Sequence, residues 1–411
     1  MLLRNALSLS GTSILNLPLG FAFWWVAAHH YPPDAVGLAS AAVSAMLLLA
    51  NVSALGFGTL LIAELARGHR NRAGLVLTAL LVVGTAGFAL GWAFAVVAPH
   101  VSTHLAPLDA HLWTAALFAG GASLATAALV FDQALVGILR GGLQFWRNLL
   151  HGAAKLALLV ALALWTRHGW EQIYGSWALG TVFSFVVVAA ALFRTGVRPA
   201  SWRPDWRAVT DLRRAAGWHH ALNLSLAAPQ FMLPIVATAV LSARLGAYFY
   251  VGWIGGMIPS FAPGALSTVL YAVGAAEPRL LERRVRQTLT YSYAALAGVG
   301  IPIFALAPYL LEFFGSAYRT EATTALRLII VAGLPLVIRA HFVAVSRTSG
   351  RLAQAVAFLS VTAVLEVVAA AVGARLGGIT GLALGWTIVM FLEAAIMLRP
   401  LLRMRYWVQP A

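Results

Sequence analysis

The sequence predicts an all-α polytopic membrane protein: about twelve transmembrane helices in two parallel six-helix repeats. Three observations predict it. The composition is too apolar for a soluble fold, the arginines fall in every second loop, and short patterns recur about 210 residues apart.

Hydrophobic residues make up 61% of the 411 residues and charged residues only 10%. A span needs about 20 apolar residues, so twelve use roughly 240 and leave only short connections. The apolar runs cover 6–29, 37–62, 73–97, 112–139, 149–165, 176–193, 216–241, 247–273, 288–313, 326–346, 353–372 and 382–398. The first run is longer than the apolar core of a cleaved signal and lacks a small-residue exit site, so it is read as a retained span. No stretch is long and polar enough for a separate soluble domain. Cysteine is absent, which removes disulfides and thiol chemistry.

The net charge of +15 does not point to nucleic acid, because the arginines cluster between apolar runs rather than on one polar face. With the N-terminus inside, the cytoplasmic segments carry 21 arginines and the outer segments five. That asymmetry places both termini in the cytoplasm and supports an even number of spans. Tryptophans near the ends of the runs, among them Trp24, Trp25, Trp146, Trp165, Trp170, Trp177 and Trp218, fit an interfacial belt.

The basic segment Arg194–Arg214 falls at the midpoint. It divides the chain into an N-terminal lobe (1–193), a cytoplasmic linker (194–215) and a C-terminal lobe (216–411). Leu17-Pro18 answers Leu233-Pro234, the turn Val36-Gly37-Leu38-Ala39 answers Leu245-Gly246-Ala247-Tyr248, and Asp132 to Arg140 answers Arg339 to Arg347. Six spans per half start both halves on the same side, so the repeat is parallel.

Lys155 is the only lysine. With Asp132, Arg339, Glu366 and Glu393 it lies inside apolar runs, where every ionisable group is expensive and hence a functional candidate. At 1.5 Å per residue, Asp132 and Arg339 each lie about 12 Å above the cytoplasmic interface, Lys155 about 10 Å, Glu393 about 9 Å and Glu366 about 20 Å. Four of the five then share one layer. Two compatible arrangements follow. The charges neutralise one another, Asp132 with Lys155 and Arg339 with Glu393, or they line a polar cavity open to the cytoplasm. The equal depth of Asp132 and Arg339 also suggests an ionic lock between the halves when the cytoplasmic side is closed. His341, within a turn of Arg339, is either packed or a proton carrier. Pro259 and Pro263, in the segment Gly255–Gly264, are either a static kink or a bend point.

Metalloprotease, Asp-x-Asp and Walker A patterns are absent. No enzyme activity, metal or cofactor is expected.

The stretch Asn51-Val52-Ser53-Ala54-Leu55-Gly56-Phe57-Gly58 resembles the polysaccharide-exporter branch of the multidrug/oligosaccharidyl-lipid/polysaccharide (MOP) exporter superfamily. So do Phe131-Asp132-Gln133-Ala134-Leu135-Val136-Gly137-Ile138-Leu139-Arg140, Arg147-Asn148-Leu149-Leu150 with Lys155-Leu156, and Leu326-Arg327-Leu328 leading to Leu334-Pro335 and Arg347. The resemblance covers nearly the whole chain. It implies V-shaped lobes like those of MATE transporters, and a monomer in the bacterial inner membrane. It also implies alternating-access flipping of an undecaprenyl-pyrophosphate glycan, with glycan-assembly proteins as partners and H⁺ or Na⁺ as a coupling ion.

On this reading Arg339 and Lys155 attract the diphosphate, since guanidinium and ammonium both bind phosphate oxygens. Asp132 holds one of them at rest, and Glu366 and Glu393 tune the C-terminal lobe. The superfamily's drug exporters often carry an acid in span 1. Here Asn16 is the polar amide in that span, which weighs against a drug/H⁺ or drug/Na⁺ antiporter. A glycan polymerase or ligase would need a larger outer loop than 98–111.

Reporter fusions test the topology: phosphatase joined at Ser201 and at Ala411 is expected to be inactive, and external activity at both would overturn it.

Overall fold

Without water, a chain in hydrocarbon must satisfy its backbone internally, and this sequence does so with helices. In the computed structural model, residues 17–67, 71–164, 169–194, 203–206, 217–276 and 281–402 are described, and all regular structure among them is helical. Asn16, both termini and most of the 194–215 segment lie outside the described residues.

The first half contains α1 (17–30), α2 (Pro33–Ser53), α3 (Phe57–Ala66), α4 (Arg72–Val101), α5 (Leu112–Gly137), α6 (Gly141–Ala163) and α7 (Trp170–Arg194). The second contains α8 (Gly217–Val240), α9 (Ala243–Met257), α10 (Phe261–Ala276), α11 (Leu281–Glu312), α12 (Ser316–Thr348) and α13 (Leu352–Leu402). Local chemistry sets several starts. Pro33 opens α2, where a missing N–H costs nothing. The side chains of Asn71 and Ser242 accept hydrogen bonds from Gly74 N and Leu245 N, capping α4 and α9.

The helices form two compact units, Met1–Ala227 and Ala228–Ala411. In the first, α5 is central and packs on α2, α3, α4 and α7, while α6 packs on α7. In the second, α12 occupies the same place against α9, α10, α11 and α13. The packing order repeats as the sequence matches do.

Eight of these helices are long and apolar enough to cross a membrane on their own. Where they are described, the twelve expected runs fall on helices, and the lower number has local causes. Only the last part of the first run is described, α6 starts with polar Gln144, Arg147 and Asn148, and α13 contains two helices joined at Gly377-Gly378. The second run of each half is broken. Leu55 (φ 48°) and Gly56 (φ 78°) separate α2 from α3. A 3₁₀ turn, Ile258–Ser260, separates α9 from α10. Pro259 sits in that turn and Pro263 in the first turn of α10, where helical N–H groups have no partner anyway.

The two halves of α13 pack backbone to backbone. A Cβ built on Gly373 would strike the carbonyl oxygen of Gly381, one on Gly381 would strike that of Gly373, and one on Gly385 would strike that of Ala369. Small residues four apart on both helices permit this approach. Gly381→Val is therefore expected to destabilise the protein by about 1–3 kcal/mol, the usual range for overpacking. Thermal unfolding in detergent measures it, and an unchanged midpoint would show that the helices can separate freely.

Candidate functional site

Each unit buries one ionic cluster, and both are built around its central helix. In the first unit, Asp132 on α5 is gripped by Arg147 on α6. Arg147 donates Nε–H to Asp132 Oδ1 at 2.5 Å and Nη2–H to Oδ2 at 2.7 Å. Asn148 donates Nδ2–H to the same Oδ2 at 3.0 Å and accepts from Arg147 Nη2 at 2.9 Å. Both charged side chains are buried. This is a bidentate pair with its remaining lone pairs satisfied, the arrangement a buried ion pair requires.

The partner expected for Asp132 was Lys155, and the start of α6 explains the difference. The helix begins at Gly141, not near residue 149. Arg147 then lies about 9 Å along it and Lys155 about 21 Å. Asp132, about 12 Å from Arg140, is level with Arg147. Arg147, assigned by the sequence to a cytoplasmic segment, belongs to the buried cluster.

Lys155 is 6% exposed, and no salt bridge joins it to a carboxylate among the described residues. Its Nζ stands 3.3 Å from the ring centroid of Trp177 on α7 and 5.0 Å from that of Phe23 on α1. Phe23 meets Trp177 edge to face at 5.6 Å, and His151, hydrogen-bonded to Thr181, meets Trp177 at 5.7 Å. The lysine can lie so close to α7 because residue 180 is glycine: a Cβ there would come within 3.0 Å of Lys155 Cβ and N. Trp177, expected in an interfacial belt, forms one face of this cage. Desolvated cation–π contacts return about 2 kcal/mol or more, against several kcal/mol for burying an ion. The aromatic faces therefore offset only part of the cost of burying the ammonium.

In the second unit, Arg339 on α12 meets two carboxylates on α13. Its Nη2 bonds Glu366 Oε1 and lies 2.6 Å from Glu393 Oε2. Trp386 donates Nε1–H to Glu366 Oε2 at 2.6 Å. Glu393 Oε1 and Arg339 Nε have no hydrogen-bond partner among the described residues. Residue counting placed Glu366 about 8 Å farther from the cytoplasm than Arg339. Side-chain direction closes that gap. Cβ atoms tilt toward a helix N-terminus, so Arg339 leans back along α12 while Glu366, on the opposed first half of α13, leans to meet it. The expected layer of four charges is thereby corrected. In the first unit Asp132 and Arg147 lie at one level along their helices and Lys155 about 12 Å farther along α6.

Asp132 and Arg339 are each bonded within their own unit. His341 is buried with both nitrogens engaged, Nδ1 with Val337 O at 2.8 Å and Nε2 with Thr288 Oγ1 at 3.1 Å, so it is a packed histidine.

The clusters are related position by position. Asp132 and Arg339 lie 207 residues apart, Lys155 and Glu366 lie 211 apart, and Trp177 and Trp386 lie 209 apart. Each trio sits on corresponding helices with its charges inverted: acid, base and tryptophan in the first half, base, acid and tryptophan in the second. Arg147 has no ionisable counterpart, since Phe358 occupies the matching place. Arg147 holds Asp132, and Lys155 has no carboxylate partner among the described residues, whereas its counterpart Glu366 bonds both Arg339 and Trp386.

No family model matches the sequence, and no curated protein matches it. Solved structures do. An inward-facing multidrug resistance MATE family transporter of the MOP superfamily is 19% identical, covering 96% of this chain and 95% of that one, with a TM-score of 0.69. The chain has the MATE transporter fold. An outward-facing structure of a multidrug resistance MATE transporter aligns at 16% identity over 98% and 95% of the two chains, with a TM-score of 0.67. A MOP superfamily transporter from Pyrococcus furiosus, described as having a binding pocket of reverse polarity that suggests a different function, aligns at 16% over 98% and 95%, with a TM-score of 0.66. The shared fold is consistent with the two-repeat layout expected from the sequence.

Removing Arg147 strands a buried carboxylate. Arg147→Ala is expected to destabilise the protein by about 3–5 kcal/mol, while the double change Arg147→Leu with Asp132→Leu recovers most of that loss. Melting of the three proteins in nanodiscs checks this, and a double variant no more stable than Arg147→Ala would show that the pair is not what holds α5 to α6.

Proposed function

We propose that this chain is a membrane transporter that flips an anionic lipid-linked glycan, of the undecaprenyl-pyrophosphate class, across the bacterial inner membrane by alternating access. The fold it shares with MATE transporters supports the transport part of this reading. The observation that carries the substrate class is Lys155: a buried cation held by aromatic faces, with no carboxylate bridging it among the described residues. Asp132, Glu366 and Glu393, by contrast, are all already bonded to guanidinium groups. A site with a spare cation and committed acids suits a diphosphate better than a cationic drug.

Arg339 is not the diphosphate anchor in this reading, because two carboxylates already outweigh its charge. The Arg339–Glu366–Glu393 cluster carries one excess negative charge when both acids are ionised, and Glu393 Oε1 has no partner among the described residues. It is the place for the coupling H⁺ or Na⁺. The chain acts as a monomer with both termini in the cytoplasm. The boundaries proposed for its lobes are 1–193 and 216–411, joined by the basic linker.

The test is Lys155→Gln in proteoliposomes loaded with a lipid-linked glycan. Loss of one charge-assisted contact is expected to slow translocation by about tenfold or more, with normal protein levels in the membrane. Unchanged translocation would remove Lys155 from the substrate path. Arg339→Ala is expected instead to lower the amount of folded protein, since it leaves two buried carboxylates unpaired.

A further inference from the structure

The motif Asn51–Gly58 marks a cavity that the ionic clusters do not use. It lies within the first unit, has a volume of about 150 Å³, and sits where α2 gives way to α3. Five polar side chains line it: Asn51, Thr59, Gln133, His220 and Asn223. No charged residue is among the lining.

Three elements bring these groups together. The break at Leu55-Gly56 stops α2, so Leu55 N turns to Val52 O at 3.4 Å and Phe57 N to Ala54 O at 2.8 Å, each three residues back. Asn51 uses its Nδ2–H on Leu47 O at 2.8 Å, which leaves its side-chain oxygen as an acceptor. Gln133 follows Asp132 on α5, and Arg147 fixes the turn of helix from which it projects. Gly58 makes room for it: a Cβ there would come within 3.0 Å of Gln133 Cγ. His220, on α8, is hydrogen-bonded to the backbone of Val52.

Carboxamides, a hydroxyl and an imidazole offer both donors and acceptors with no net charge. That set matches neutral hydroxyl groups, which both donate and accept. An apolar cavity of this size would stay dry, whereas one with this many polar groups must be filled by something that hydrogen-bonds. Irregular backbone at membrane depth occurs where it lines such a site.

We infer that this cavity is a binding subsite for a single neutral sugar ring, held by Asn51, Thr59, Gln133, His220 and Asn223. The inference rests on the glycan-flipping reading and deepens it. Lys155 receives the anionic head of the substrate, and this cavity selects the carbohydrate.

The two claims separate in one experiment on full-length protein in nanodiscs. Free glucose, galactose and N-acetylglucosamine are the sugar probes, read by saturation-transfer difference NMR. Inorganic pyrophosphate is the anion probe, read by phosphorus line broadening. Gln133→Leu and Thr59→Val are each expected to lower the saturation of at least one sugar by about threefold or more, the loss of one hydrogen bond. Both variants keep the pyrophosphate response, which also shows that they are folded. Lys155→Gln is expected to lose the pyrophosphate response and keep the sugar signal. No sugar saturation in the unmodified protein, or the same saturation in both cavity variants, overturns the inference and leaves a cavity filled by water only. Sugar binding without any pyrophosphate response would keep the subsite and sink the glycan-diphosphate reading.

Discussion

A charge inside an apolar bundle must be answered by another charge or by a ligand, and this constraint organises both halves of the molecule. Arg339 is answered twice, by Glu366 and Glu393, and the indole of Trp386 takes up a further carboxylate oxygen. These bonds tie α12 to both halves of α13. The glycine contacts between those halves hold the two carboxylates on one side of the guanidinium. Asp132 is answered once, by a bidentate Arg147, and the bond ties α5 to α6. Lys155 is answered only by rings.

The contrast between the halves follows from a repeat whose charges have been inverted. A duplicated helix bundle conserves geometry more readily than chemistry, because packing depends on size and helix spacing while a pair of charges can be reversed as a unit. Asp132, Lys155 and Trp177 keep the places of Arg339, Glu366 and Trp386. Two positions then change the balance: Arg147 and Glu393 have no ionisable counterparts, Phe358 and Ser184 standing in the matching places. In the second half Arg339 is held by two carboxylates. In the first, Arg147 holds the acid, and Lys155 lies farther along α6 against aromatic rings.

The broken helices follow similar logic. Both second spans are interrupted, by Leu55-Gly56 in one half and by the turn containing Pro259 in the other. Around the first break the lining is polar and uncharged. The position of the break, the small residue at 58 and the adjacent Asp132–Arg147 pair all act on Gln133. The ionic cluster and the polar cavity are therefore neighbours that share one turn of α5.

The sequence alone determined the class of the protein. Apolar runs of span length, arginines concentrated in alternate loops and patterns recurring about 210 residues apart point to a helical polytopic chain, because hydrocarbon favours helices for such runs. It also picked out the buried ionisable residues, since each is conspicuous against an apolar background. Which of them touch was decided only by the tertiary structure. The pairing of Asp132 turned on where α6 begins: an eight-residue error in that start moved Lys155 by about 12 Å and hid Arg147 in a loop. The meeting of Glu366 with Arg339 turned on the opposed tilt of side chains in antiparallel helices, which a count of residues does not contain. From the sequence Trp177 reads as part of an interfacial belt, because a tryptophan near a helix end looks the same whether it faces lipid or an ammonium. Composition fixes what must be buried, while helix starts and side-chain directions fix what each buried charge meets.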